Sequence, residues 1–327
     1  MGLAALKHQE CGCNQQQISA YVDTSNYDPT RTLSLRNAFA REMAKRFTGL
    51  RGVIRQAIVT QDVFGLTSSS NIVVQQEFSV PRKNAFAFPR SSDKVQAFMS
   101  WLRQQEQAGI LEVREFQQVG AGVERAWTNK YIDSAYQRGV IKARSEMRKA
   151  GIDVPSIAET GGVAASMVQP IHADRVGLLY TRTFNDLAGI TTAMDAQISR
   201  VLAQAMADGK GPREIARLLT RTISGPVGDL GITDTLGRFI PAERRARQLA
   251  RTEVIRAHHK ATIQEYRNWA VEGVIVQAEF VTAGDDRVCV ECQALEGKVY
   301  TLDEAENLIP VHTNCRCNML PKDVTRH

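Results

Sequence analysis

Cys289-Val-Glu-Cys292 is followed, twenty residues on, by His312-Thr-Asn-Cys315-Arg-Cys317. Four of the six cysteines and one of the six histidines fall in this stretch. Two thiolates separated by two residues can grip one tetrahedral ion from a single turn, and the second cluster supplies the other corners. That is the ligand spacing of small structural zinc sites. Five donors compete for four corners. The first choice is Cys289, Cys292, His312 and Cys315. Cys317 repeats the side of Cys315 if the chain there is extended, so it either replaces His312 or packs as a buried thiol. Four reduced thiols in a core, or a disulfide formed after release from the cell, are the other readings. A catalytic ion needs an open position and a placed acid or base. Glu291 lies between two ligands, but nothing marks it as a base, and no catalytic residue is assigned.

Working outward, residues 274–321 number fewer than fifty, too few to fold by burial alone without a metal or disulfides. β-like runs occur at Val274–Val276, Phe280–Val281 and Lys298–Tyr300. Asp285-Asp286 and Gly297 suit turns, and Pro310 sets the approach to His312. Upstream the pattern is helical. Leu35, Phe39, Met43, Phe47, Leu50, Ile54 and Ile58 recur at spacings of three and four, after an N-cap and N1 proline at Asp28-Pro29. An extended segment or hairpin is expected near 63–118, interrupted by a short helix from Ser92 to Gly109. Further helices are expected over Val123–Lys149, from Asp174 to Ala205, from Pro212 to Leu219, and from Pro241 to Trp269. The fold class read from this is mainly α, with long amphipathic helices followed by a small α+β, zinc-stabilised C-terminal module. Three parts are expected: a polar arm at 1–27 carrying Cys11 and Cys13, a helical body at 28–240 with the 63–118 insertion, and a basic helix plus zinc-binding module at 241–327.

The composition is that of an ordinary soluble folded chain, 43% hydrophobic and 23% charged. No apolar run approaches the length of a membrane span, and the N-terminus lacks the apolar core of a signal peptide, so folding in a reducing cytoplasm is expected. The net charge is +6, and the excess is uneven. One basic run includes Arg36, Arg41 and Lys45; a second includes Arg244, Arg245 and Arg247. They are read either as solvated helix faces or as phosphate contacts, and the latter would weaken steeply with salt. Gly225-Pro-Val-Gly228 lacks the lysine-serine pair of a phosphate loop. His258 and His259 are adjacent on a helix and cannot share one ligand face.

Four motifs occur in order: Ala250-Arg-Thr-Glu253, then Phe280-Val-Thr-Ala-Gly-Asp-Asp-Arg-Val-Cys289-Val-Glu-Cys292, Leu295-Glu-Gly-Lys-Val-Tyr300, and Pro310-Val-His-Thr-Asn-Cys315-Arg-Cys317. Together they resemble the phage head morphogenesis family, the Mu F-like minor capsid proteins. The resemblance is densest over 247–321 and departs at Phe280, where a tryptophan is expected. It implies a non-enzymatic minor head protein, present in several copies per virion. Such a protein would dock on the portal or major capsid protein inside the capsid and contact packaged double-stranded DNA. The host cytoplasm would be its place of assembly. It also carries the ligand roles onto Cys289, Cys292, His312 and Cys315, with Cys317 as the extra member. The alternative is a nucleic-acid-directed enzyme such as a zinc-containing nuclease. Glu253 is expected to orient its helix against the terminal module through Arg251 or Arg256.

Overall fold

The 3–4 spacing that begins at Leu35 produces α1, Leu33–Arg55, which runs on into a π-helical turn at Gln56–Thr60. The computed structural model describes residues 28–67, 80–112, 126–225, 240–270 and 274–326. Phe39, Met43, Phe47 and Ile54 are fully buried, as the periodicity requires. The helix begins later than Asp28-Pro29. Asp28 acts from outside it, accepting the Leu33 amide at 2.6 Å and pairing with Arg36 at 2.9 Å. A carboxylate there meets orphan amides and the positive end of the helix dipole.

Within 63–118 the helix expected from Ser92 to Gly109 forms. α2, Ser91–Glu106, buries Phe98 and Leu102 completely in the main core, and a second π-helical turn at Gln107–Leu111 carries the chain past Gly109. The apolar run Ile72–Val74, read as extended, lies outside the described residues, as do Cys11 and Cys13.

α3 (Asn129–Lys149), α4 (Gly162–Met167), α5 (Pro170–Ala207), α6 (Pro212–Ser224) and α7 (Ala242–Ala270) complete the helical part. α5 and α6 each open on proline, whose missing N–H costs nothing in a first turn. α7 is the axis of the molecule. Ala246, Ala250, Val254, Ala257 and Ala261 join the large core, while Ile255, Ile263 and Tyr266 join a second core shared with the C-terminal sheet. A helix buried on two sides shows no single apolar stripe. α3 meets α7 at Gly139, where an added Cβ would lie 2.4 Å from the His258 carbonyl oxygen and 2.6 Å from Ala261 Cβ. Gly139→Ala is therefore expected to cost about 1–3 kcal/mol by forcing the helices apart. A thermal melt unchanged from wild type would refute this contact.

The sheet is antiparallel, in the order β2-β1-β3: β1 is Val274–Val281, β2 Val299–Tyr300 and β3 Asn318–Arg326. The runs at 274–276 and 280–281 form one strand, with a register irregularity between Ile275 and Gln277. β3 was not foreseen. Its sequence, Asn-Met-Leu-Pro-Lys-Asp, shows no apolar alternation, and Pro321 is tolerated because β3 is an edge strand.

Candidate metal centre

Cys289 caps α8, the single turn Val290–Gln293, and its Sγ accepts the Cys292 amide at 3.3 Å. An amide aimed at sulfur favours the thiolate, and the Cys289 thiol is lowered chiefly by this bond. The C-x-x-C motif is thus a preformed knuckle. On the far side of the module, the chain turns through Asn314 at φ 63°, closed by the Cys315 amide on the His312 carbonyl at 3.1 Å. This turn sends His312 and Cys315 toward the knuckle, and the pairing of Val281 with Asn318 fixes where Cys317 arrives.

Donor atoms converge in two overlapping sets, Cys289–Cys292–His312 and Cys292–Cys315–Cys317, each with all atoms within 4.8 Å of one another. His312 Nε2 lies 3.1 Å from Cys289 Sγ and 3.2 Å from Cys292 Sγ. Ligands around a tetrahedral zinc stand roughly 3.5–3.8 Å apart given the usual bond lengths, so these side chains are close to holding distance. Cys292, Cys315 and Cys317 are all buried, and none of the four cysteines is in a disulfide. All five expected ligands therefore meet, and Cys292 is common to both sets.

The local electrostatics divide the thiols, favouring the thiolate at Cys289 and Cys315 and the neutral thiol at Cys292 and Cys317. The Cys317 thiol donates to Cys315 and holds it down to about 5, while Cys317 itself is pushed up by the same bond and by burial. Burial pushes Cys292 up to about 12. Three thiols packed without a countercharge are costly to ionise together, and a cation would relieve that cost. His312 Nδ1 lies 2.8 Å from the Thr313 carbonyl oxygen. Donating there leaves Nε2 as the free ligand atom.

Supporting contacts lock both ligand loops. Arg316 makes a bidentate pair with Asp285, at 2.7 and 2.6 Å, tying the His312–Cys317 segment to the turn before Cys289. Arg316 and then Arg287 hold the Asp285 carboxyl well below the usual carboxylate range. The Asn314 amide donates to Thr252 Oγ1 at 3.1 Å, so the Arg-Thr-Glu helix touches the ligand turn through its threonine. Glu253 takes the expected partner Arg256 but holds its helix against a different neighbour. It pairs with Arg256 at 3.0 Å and with Arg182 of α5 at 3.6 Å, pinning α7 to α5 rather than to the module. One residue is about 100° around a helix, so neighbours 252 and 253 face different partners.

Glu306, just after the short helix α9 (Leu302–Ala305), docks the module on the body. Its carboxylate meets Arg175 and Arg267 at 2.7 Å each and Lys260 at 3.4 Å. Burial would raise its pKa, but the Arg175 and Arg267 hydrogen bonds prevail and hold it at about 2. A depressed carboxylate pKa stabilises the fold above the unfolded value, and that contribution is lost as pH falls. Acid titration between about pH 4.5 and 2 is expected to remove of order 2–3 kcal/mol through this group. Glu306→Gln should flatten that part of the stability–pH curve; an unaltered curve would count against the hub.

The basic candidates separate. Arg41, Lys45, Arg244 and Arg247 are exposed, and Arg245 is half-buried. Arg36 is turned inward, 5% exposed, against Asp28, so it does not present the solvent-facing cation its sequence context suggested. His258 and His259 are fully buried, with His259 Nε2 on the Ala305 carbonyl at 2.9 Å. Burial lowers them to about 3 and about 4, so both are neutral. The Asp285–Arg316 pair, the Thr252–Asn314 contact and the Glu306 hub were not anticipated, because each joins residues distant in sequence.

A helical body carrying a cysteine–histidine knot on a small terminal sheet is the architecture these residues define. Residues 196–320 match the family described as Phage Mu protein F like protein, which confirms over that span the resemblance read from the motifs. This is a family of structural phage head proteins and not of enzymes. No curated protein and no solved structure matches the chain. Among the described residues, no helix is long and apolar enough to cross a membrane.

Proposed function

We propose that this chain is a minor head protein of a tailed phage. In this reading it acts in head morphogenesis, docks on the portal or the inner face of the capsid shell, and touches packaged DNA with exposed cations. The carrying observation is that the family match spans the residues in which the five metal donors converge. The role is assembly, and the knot is a clamp. Its ion is zinc: three or more sulfur donors with one histidine suit a closed tetrahedral site. Glu291 is exposed on α8. In keeping with a docking role, Val168, Ile171 and Leu178 leave apolar side chains 77%, 45% and 66% exposed near the start of α5.

Cryo-microscopy of assembled particles tests the reading. Density for this chain at the portal vertex or inner shell is expected, and absence of the chain from every purified particle would sink it. Purified protein should not cleave DNA with added zinc or magnesium. Cleavage lost on Glu291→Ala would move the assignment to a nuclease.

A further inference from the structure

A cavity of about 450 Å³ lies where the end of α6, the start of α7 and the metal-ligand turn meet. Arg244, Arg247 and Arg251 line it from α7, Ser224 and Gly225 from the end of α6, and Asn314 from the turn between His312 and Cys315. The three arginines are spaced by three and four residues, so their side chains leave one face of the helix.

What distinguishes this cavity from a merely basic surface is missing countercharge. Arg244, Arg247 and Arg251 have no hydrogen-bond or ion-pair partner among the described residues, and Arg251 Nε and Asn314 Oδ1 are buried without one. Among the described residues the one carboxylate in the wall, Glu243, lies 3.8 Å from Arg51, which also bonds the Ser224 hydroxyl. Arg251 is lowered by burial and then by the positive charges of Arg247 and Arg36. Elsewhere the protein neutralises partly buried cations, as at Glu306 and Glu265. Like charges gathered around an open concavity are held at a cost that an incoming anion removes. Guanidinium forks match phosphate oxygens in pairs, and three on one helix face suit a tetrahedral dianion or successive phosphodiesters better than a single carboxylate.

We propose that this cavity is a phosphate-binding site that takes phosphate groups of nucleic acid or free phosphate, completed by Asn314 of the metal-ligand turn. It deepens the DNA contact proposed above and rests on that reading only for the source of the phosphate. It also couples the metal knot to the site, because the Asn314 amide is held by Thr252 on the same helix as the arginines.

The test uses the full zinc-loaded chain, titrated with inorganic phosphate by calorimetry and with a short DNA duplex by fluorescence anisotropy. Both are expected to bind and to compete. Arg247→Gln and Arg251→Gln should each weaken both about tenfold or more and reduce the salt slope for the duplex by about one. Arg200→Gln, an exposed arginine outside the cavity, should change neither. Arg247 is exposed, so its variant keeps the test valid if Arg251→Gln fails to fold. Phosphate binding without duplex binding would support the site and remove DNA contact from the head-protein reading. Duplex binding unchanged in both variants, or binding of poly-glutamate alone, would overturn the site while leaving head assembly untouched.

Discussion

Cys292→Ser is expected to release the metal ion and unfold the C-terminal module. Cys292 is the donor shared by both ligand sets and is 2% exposed, so serine leaves a hard, weakly acidic hydroxyl where a thiolate is needed. The module is small: two single-turn helices and a three-stranded sheet, with a core shared with α3 and α7 that closes around the cysteines themselves. Structural zinc contributes on the order of 10–16 kcal/mol of apparent binding energy in small modules, more than the margin of most domains. Purified wild-type protein should carry about one zinc per chain, and chelation should melt the sheet before the helices. Cys317→Ser should be milder, because four donors remain. Unchanged zinc content in Cys292→Ser would refute the ligand set and return the thiols to a purely packing role.

The second large effect is expected at Glu265, inside the helical part. Glu265 is fully buried. Its Oε1 accepts from Arg144 Nε at 2.5 Å and Trp269 Nε1 at 2.9 Å, and its Oε2 lies 3.3 Å from His172 Nε2. Arg144 is itself 5% exposed and also reaches Thr160 and Ser166. Removing the carboxylate leaves a guanidinium buried without a countercharge, and such a break costs about 3–5 kcal/mol. Glu265→Ala should therefore unfold at markedly lower urea concentration. The double variant Arg144→Met/Glu265→Leu should recover much of the loss, because the pair must be desolvated together. A single variant costing under about 1 kcal/mol would show that the pair is screened. The pH dependence has a definite sign. Burial raises the Glu265 pKa, but hydrogen bonds from His172, Arg144 and Trp269 lower it overall. Its stabilisation is present above the unfolded value and is lost as pH falls through the lower folded one.

How far the sequence could be read varies along the chain. α1 was legible from Leu35 to Ile58 because one face is buried and the other wet, so the 3.6-residue period survives in the residue types. α7 was legible as a helix but not as the axis of the molecule. Its alanines join one core while Ile255, Ile263 and Tyr266 join the other, and no hydropathy pattern records which neighbour each one meets. β3 escaped notice because an edge strand tolerates proline and polar residues that pattern reading assigns to loops.

The chemistry was more legible than the packing. Cysteine and histidine are uncommon, their ligand spacings are constrained by the size of an ion, and all five donors named from spacing do converge. By itself the sequence therefore yielded the helical character, the five candidate donors that the fold brings together, and a resemblance that the family match supports over residues 196–320. Only the tertiary structure decided that Cys292 is common to both donor groups, that Arg36 is internal while Arg244 and Arg247 are free, and that Glu253 binds α5 while Thr252 holds the metal-ligand turn. Local residue types encode period and ligand chemistry, whereas charge pairing depends on which side chains the fold brings within a few ångströms, and that is a property of three-dimensional proximity.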